Sequence, residues 1–277
     1  MKRTLKILVC AISGLIVLPV VGIAFVMIVA NMDWGRRLIE QATAQVSGGQ
    51  VTVAGIAGHF PEDLRLTRAE FRDRKGLWLS IDDVRLQWSP SRLLRRGLQI
   101  DLLRAGHVSL ERLPPFTSPA RTESELPLRI DVDRIEVERM DIGAPLAGAA
   151  ASVAIEGNAH VVSRHDAETA VSVKRIDAPG TYKLNGRIDA SSAKAELVVD
   201  EPAQGLLAGL ANLPDLGALS VQVSIDGPRN AEAMRLALAA GPLRASGQGR
   251  VDLVNETVDL DVTASAPAMA PRQDLRW

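Results

Sequence analysis

Histidine, glycine and cysteine residues are the first candidates for chemistry in this 277-residue sequence. His160 and His165 are five residues apart, and an odd spacing in a strand points two side chains to opposite faces, which argues against joint metal binding. The glycines of the Gly55–Gly58 segment fit a connection between strands better than a phosphate loop. Cys10 is the single cysteine, so it permits neither an internal disulfide nor a cysteine-based zinc site.

The remaining titratable residues suggest no reaction. His59 and His107 are isolated, and Asp82-Asp83 lies in an arginine-rich region where solvated ion pairs account for it. The sequence contains no Walker-type loop, no Gly-x-Ser-x-Gly elbow and no His-Glu-x-x-His motif. We therefore predict that the chain is not an enzyme and has no catalytic residue, metal or cofactor.

The composition is rich in aliphatic and poor in aromatic residues. Hydrophobic residues make up 47% of the chain, but aromatic residues only 3%. Without Lys2, Arg3 and Lys6, the remaining 29 basic residues face 33 acidic ones. A nucleic-acid-binding protein needs a basic face that this mildly acidic balance does not supply.

The N-terminal region has the pattern of a membrane anchor. Residues 7–30 carry no charge, and as a helix they would extend about 36 Å, enough for a hydrocarbon core of about 30 Å. A cleaved signal peptide is the alternative, but its apolar region is shorter and Ile28 does not suit a cleavage site after Ala30. The basic residues of the tail 1–6 outnumber Arg36 and Arg37, which predicts a cytoplasmic N-terminus with the bulk of the chain outside the cytoplasm.

A change of periodicity follows the anchor. Residues 31–49 predict a short lead-in helix with Leu38, Ala42 and Val46 on one face, ended by two glycines. From Val51 onward, apolar residues alternate with polar ones, which is typical of strands with one apolar face. After Asp82-Asp83 the alternation slips by one residue, as a β-bulge or a tight bend would cause.

Few segments interrupt the strand pattern. Residues 89–97 and 204–213 predict short helices, and the proline-rich segment 114–127 predicts a surface loop between a first unit, 51–113, and further strands in 128–277. No amphipathic helix long enough to cover the apolar side is present. We therefore predict a mainly β protein: a transmembrane helix, then a long, curved antiparallel sheet that forms an open groove with an apolar inner face.

The residues predicted to line this groove are aliphatic, with one tryptophan. They are Val84, Leu86, Trp88, Leu98, Ile100, Val108, Leu110, Ile130, Val132, Val153, Ile155, Val171, Val173, Leu197, Val199, Val221, Val223 and Ile225. Small residues between them leave room at the surface for an apolar guest. Trp78 and Trp88 have two interpretations, packing beneath the Ser-Pro helix or a position at the groove mouth near the membrane.

The first unit resembles the N-terminal region of TamB proteins, within the wider AsmA-like family. The similarity covers about residues 1–115 and is carried by an ordered set of short motifs. These are Gly76-Leu77-Trp78, Trp88-Ser89-Pro90, Leu93-Leu94, Leu98 to Ile100, Val108 to Arg112 and Pro114-Pro115.

The resemblance implies a bacterial inner-membrane protein with a long periplasmic β-groove that shields phospholipid acyl chains between the two membranes. It also implies a TamA-like outer-membrane partner, reached through a C-terminal region without counterpart in this sequence, which we therefore expect to be a fragment. Two alternatives stay open: an assembly factor that captures strands of outer-membrane β-barrel or autotransporter proteins, and a membrane-tethered β-sandwich with a closed core.

Overall fold

The alternating pattern produces one large sheet. The computed structural model of the protein describes residues 31–113, 129–163, 165–210, 217–255 and 257–266. In these ranges the protein is mainly β, with a single 14-stranded sheet that is mostly antiparallel and not closed. The coarse prediction of a long one-layer sheet with few helices is confirmed.

Most elements follow one another along the chain with short connections, apart from the longer ones after β5 and β10. The helices are α1 (Asp33–Val46), α2 (Ala144–Ala147) and α3 (Leu206–Leu210), with a 3-10 helix at Pro90–Arg95. The strands are β1 (Val51–Ala54), β2 (Ala57–His59), β3 (Asp63–Asp73), β4 (Gly76–Trp88), β5 (Gly97–Leu110), β6 (Arg129–Ile142), β7 (Ala151–Ser163), β8 (Asp166–Arg175), β9 (Thr181–Ile188), β10 (Ser192–Glu201), β11 (Leu219–Pro228), β12 (Glu232–Ala240), β13 (Leu243–Asp252) and β14 (Thr257–Ser265).

The order of strands in the sheet is nearly the order in sequence. From β3 to β14 each strand pairs with the next one along the chain. The prediction of a wholly antiparallel sheet is wrong at one place, because β5 and β6 pair in parallel, with Gly97 opposite Arg129 and Leu110 opposite Ile142. Parallel neighbours need a long connection that returns the chain to its starting end, and residues 111–128 supply it.

Two kinds of irregularity explain the slips in the alternating pattern. At Asp83, which has a left-handed φ of 53°, the register with β3 and β5 does not shift, yet Ile81 and Val84 both face the apolar side of β4 although they are three residues apart. Bulges with register shifts in the pairing of β6 with β7 lie between Val132 and Ile135 and again between Val137 and Met140. Both kinds return the apolar side chains to the same face.

Helix α1 covers one edge of the sheet. β1 and β2 pair with successive parts of β3 and form one interrupted edge strand. At the interruption, Glu40 Oε1 accepts the backbone N–H of Ile56 at 3.0 Å, and Arg36 donates to the carbonyl oxygen of Gly58 at 3.0 Å. The Gly55–Gly58 segment is thus a strand connection stabilised by α1.

The apolar face of α1 is not the side that packs on the strands. Gly35 is buried, and Arg36 and Glu40 face β1 and β2, whereas Leu38 and Val46, on the apolar face, are exposed. Polar contacts to the broken edge strand, rather than apolar burial, therefore orient this helix.

The predicted membrane anchor, residues 7–30, and the proline-rich loop, residues 114–127, lie outside the described residues. Among the helices within the described ranges, none is both long and apolar enough to cross a membrane.

Candidate functional site

The candidate site is the apolar face of the sheet, which cross-strand pairing assembles into rows. Residues directly opposite one another on neighbouring strands share a face and lie in contact distance. We define row 1, row 2 and row 3 by following these pairs from strand to strand. Row 1 is Trp88, Ile100, Val132, Ala159, Thr169, Gly186, Ala195, Ile225, Met234, Gly249 and Leu260.

Rows 2 and 3 run beside row 1 on the same face. Row 2 is Leu64, Leu86, Leu103, Ile135, Gly157, Val171, Leu184, Leu197, Val223, Leu236, Gly247 and Val262. Row 3 is Ala105, Val137, Ile155, Val173, Tyr182, Val199, Val221, Leu238, Ala245 and Ala264, and Leu66 and Val84 form a further pair on β3 and β4.

All the residues predicted to line the groove lie on this face. Leu98 and Ile130 form a pair beyond row 1, and Val108, Leu110 and Val153 lie beyond row 3, joined by pairing through β6 and β7. The predicted set did not include several neighbours on the same face, some on strands with bulges and some on regular strands. These are Leu103, Ala105, Ile135, Val137, Met140, Leu184, Met234, Leu236 and Leu238.

The middle of the apolar face has no second layer above it. No residue of row 2 is buried, and Leu103 and Leu184 keep 38% and 40% of their surface exposed. All the described strands belong to one sheet, so none of them packs a second sheet on this face. Neighbours in the row shield each side chain laterally, while its outer surface stays available to a ligand.

Helix α3 covers one end of the same face. Leu206 packs with Ala151 and Val153, and Val153 keeps only 2% of its surface exposed. Leu207 packs against the cluster of Val199, Leu219 and Ala240. Two of the predicted lining residues, Val153 and Val199, therefore lie in local cores beneath or beside α3.

A buried carboxylate holds α3 in place. Glu201, at the end of β10, accepts the Tyr182 hydroxyl at 2.7 Å and the backbone N–H groups of Leu207 and Ala208 at 3.0 Å each. Burial, followed by the hydrogen bond to Glu201, raises the pKa of Tyr182, so this phenol stays a neutral donor. A Cβ on Gly205 would lie 2.3 Å from Cδ of Glu201, so a glycine is needed beside the carboxylate.

Close strand approach, rather than space for a guest, explains some of the small residues on the apolar face. A Cβ at Gly249 would lie 2.0 Å from the Asp259 carbonyl oxygen, and one at Gly157 would lie 2.8 Å from that of Ala170. At Gly186 the nearest atom, Cγ2 of Thr169, would be at an ordinary 3.6 Å. Gly186 is thus the position where the absent side chain leaves room.

We expect Gly249→Ala to destabilise the protein and Gly186→Ala to be tolerated. The first substitution forces backbone movement between β13 and β14, which costs about 1–3 kcal/mol, a usual range for strain of this kind. Chemical denaturation of both variants measures the difference in the free energy of unfolding. Equal stabilities would show that the approach at Gly249 relaxes without cost.

The opposite face of the sheet carries charge pairs. Arg68 donates to Asp82 at 2.6 Å, and Arg85 donates to Asp63 at 3.0 Å. Most of these pairs are solvent-exposed, so each contributes little stability. The contrast between the two faces means that water contacts one side of the sheet favourably and the other unfavourably.

The most elaborate of these charge clusters surrounds Asp141. Arg139, Ser152 and His107 all hydrogen-bond its carboxylate. Partial burial opposes ionisation, but the three hydrogen bonds outweigh it and lower the pKa of Asp141 to about 2. Its ionised form is therefore stabilised by folding.

Acid should remove this contribution. The folded pKa lies below the ordinary value of 3.8, so the stabilisation is present above about pH 4 and is lost as the pH falls toward 2. We expect Asp141→Asn to be less stable than the parent at pH 6, and the difference to shrink at pH 2.5. Urea denaturation at both pH values measures it, with the exposed Asp259→Asn as control. A difference independent of pH would contradict the assigned pKa.

The other titratable candidates form no reactive group in the described structure. His160 Nδ1 lies 3.5 Å from Asp131, whereas His165 lies in the turn between β7 and β8. Among the described residues no cluster of three or more histidine, cysteine, aspartate or glutamate side chains is arranged to hold a metal ion. Trp88 donates its indole N–H to the carbonyl oxygen of Pro61, and Trp78 contacts Phe71 with ring centroids 5.8 Å apart.

Together these features define a class of protein: an open, single-layer β-sheet with one apolar and one charged face. Comparison with known proteins finds no family whose model matches the chain, no curated protein similar to it and no solved structure that matches it.

Proposed function

We propose that the protein is a membrane-anchored lipid-shielding protein whose apolar sheet face binds phospholipid acyl chains. In this proposal the sheet curves into a groove, as in the TamB and AsmA-like proteins that the first unit resembles. The chain would be held in a bacterial inner membrane by residues 7–30, with the sheet in the periplasm. Its role would be phospholipid transport between the two membranes in support of outer-membrane biogenesis.

The observation that carries the proposal is row 2. It crosses the strands from β3 to β14 without a buried residue and without a charged one. With strands about 4.8 Å apart, such a row is about 50 Å long, several times the half-thickness of about 15 Å that one acyl chain occupies in a bilayer. Aliphatic side chains suffice for this ligand because acyl chains offer no directional polar contact.

Shielding an acyl chain from water on the apolar face would contribute a large favourable free energy of binding. Each methylene group removed from water contributes about 0.8 kcal/mol, so a chain of sixteen carbons would gain on the order of 10 kcal/mol. A bound acyl chain would also remove the half-exposed side chains of rows 1, 2 and 3 from water. In this proposal the lipid takes the place of a second layer over these apolar side chains.

Site-specific photocrosslinking tests the proposal. A benzoylphenylalanine at Leu184, on the apolar face, should form adducts with radiolabelled phospholipid in membranes of a Gram-negative host that carries the full chain. The same probe at Lys183, the adjacent residue on the charged face, should not, because successive strand residues face opposite sides. Equal lipid adducts at both positions, or none at Leu184, would overturn the proposal.

A second candidate function rests on the edge of the sheet at β14. Among the described strands β14 pairs only with β13, and most of its residues are exposed, including Val258 and Val262. An edge of this kind can accept an extended segment of another protein, as an assembly factor for outer-membrane β-barrels with a TamA-like partner would require. A probe at Asp259 that captures client polypeptide while the Leu184 probe captures no lipid would favour this function.

A further inference from the structure

A group of arginines gathers at one end of the parallel strand pair. Arg92, Arg95 and Arg96 belong to or follow the 3-10 helix, and Arg129 begins β6. The backbone N–H of Arg129 donates to the carbonyl oxygen of Arg96 at 2.9 Å, which holds the two segments together. All four side chains are exposed and line one open depression of about 420 Å³.

The charge of this group is not compensated within the described structure. None of the four arginines forms an ion pair with a described residue, whereas many arginines on the charged face do. Among the described residues, Asp131 is the one carboxylate lining the depression, and its Oδ1 lies 3.5 Å from His160 Nδ1. Four guanidinium groups against one carboxylate make a site for anions, and arginine matches phosphate geometry well.

Two exposed leucines lie within the same short segment. Leu93 and Leu94 separate Arg92 from Arg95, and Leu94 keeps 90% of its surface exposed. A soluble protein gains nothing from an aliphatic side chain in this state, but a segment with arginines around protruding leucines suits a bilayer surface. There the leucines enter the acyl region while the arginines contact the phosphates.

Hydrogen bonds place this segment at the end of the sheet next to the start of α1. The Asn31 side chain donates to the Phe60 carbonyl oxygen at 2.8 Å and accepts the Phe60 N–H at 2.9 Å. The next residue, Pro61, accepts the indole N–H of Trp88, and the 3-10 helix begins two residues after Trp88. Residue 31 directly follows the uncharged run 7–30, so a bilayer holding that run would lie at this end.

We propose that the segment Arg92–Arg96, together with Arg129, is a membrane-docking surface that binds the phosphate groups of anionic phospholipids at the bilayer from which the chain emerges. This rests on the membrane anchor of the proposed function but goes beyond lipid shielding, since headgroup contact at this end needs no acyl chain on the apolar face. Docking would set the ends of the β5 and β6 strands, and the pair Leu98 and Ile130, against the lipid surface.

Membrane depth measured by spin labelling tests the docking surface. The full chain carries Cys10→Ser and a single nitroxide at Leu94→Cys, in nanodiscs of phosphatidylcholine with or without phosphatidylglycerol. With phosphatidylglycerol, the label should become accessible to oxygen and protected from a water-soluble nickel chelate. A label at Leu77→Cys, near the turn at the other end of β4, should stay exposed to the nickel chelate in both.

Charge variants identify the cause. Each arginine near an anionic surface favours partitioning about fivefold, so replacing Arg92, Arg95, Arg96 and Arg129 with glutamine should abolish the protection. A matched control replaces four exposed cationic residues near the opposite end of the strands with glutamine and should retain the protection; they are Arg72, Arg74, Lys75 and Arg244.

Three results would overturn the docking proposal: equal protection in both lipid compositions, unchanged protection in the first quadruple variant, or loss in the control. Failure of the docking proposal can be distinguished from failure of the proposed function, because the two are measured by different probes. The Leu184 probe reports acyl chains on the apolar face, and the Leu94 label reports insertion of the docking segment into the bilayer surface.

Discussion

Aspartate at Leu184 and Val223 should nearly abolish phospholipid crosslinking from the apolar face. The two residues belong to row 2, on either side of Leu197, so each carboxylate would project where the proposal places acyl chains. If each charge returns about two methylene groups to water, the loss is about 3 kcal/mol, or about a hundredfold in binding. The readout is the yield of lipid adducts from a benzoylphenylalanine at Val171.

The control carries the same added charge on the other face. Asn185→Asp and Ser224→Asp alter the adjacent residues of the same two strands, whose side chains face the charged side. We expect crosslinking from Val171 to stay at the parent level in this variant. Circular dichroism and thermal unfolding should be alike in both variants, because Leu184 is half-exposed and Val223 is only partly buried. Unchanged lipid adducts in a folded Leu184→Asp, Val223→Asp variant would refute lipid shielding.

Replacing Glu201 with leucine should cause a large loss of stability. The carboxylate is the acceptor for Tyr182 and for two backbone N–H groups of α3, and leucine would leave all three donors without a partner. Leaving buried donors unsatisfied costs about 1–3 kcal/mol each, and with partial access of water we expect a total of about 3 kcal/mol. Chemical denaturation measures this change in the free energy of unfolding.

Two further variants separate the charge from the packing. Glu201→Gln keeps one acceptor oxygen and should lose about half as much stability as Glu201→Leu. Glu196→Leu lies on the exposed, charged face of the same strand and should change stability by less than about 0.5 kcal/mol. If Glu201→Leu were as stable as Glu196→Leu, the carboxylate would not be what fastens α3 over Val153 and Val199.

Val223 and Glu201 show how much of the candidate site can be predicted from the sequence. Val223 was predicted because β11 alternates without interruption from Val221 to Ile225. Glu201 was not, because a charged residue at the end of a strand pattern is typical of a solvated terminus. Its role depends on a five-residue helix whose amide groups happen to face it, and that contact has no signal in the sequence.

The same limit applies to the arginine group. Arg92, Arg95 and Arg96 are neighbours in sequence, but Arg129 reaches them only because β6 pairs with β5 in parallel. Strand direction depends on where the connection returns the chain, and a proline-rich segment of this length permits either direction. An antiparallel partner would have placed Arg129 at the other end of the sheet.

The amino-acid sequence by itself determined that the chain forms β-strands with one apolar and one polar side, because side chains alternate faces along every strand. It also determined the uncharged run 7–30 and the scarcity of aromatic residues. Only the tertiary structure decided which side chains share a row, since register, bulges such as those in the pairing of β6 with β7, and the parallel pair β5 and β6 arise from hydrogen bonds between distant segments. Those long-range bonds turn separate alternating patterns into one continuous apolar face, open at row 2 and covered where Glu201 holds α3.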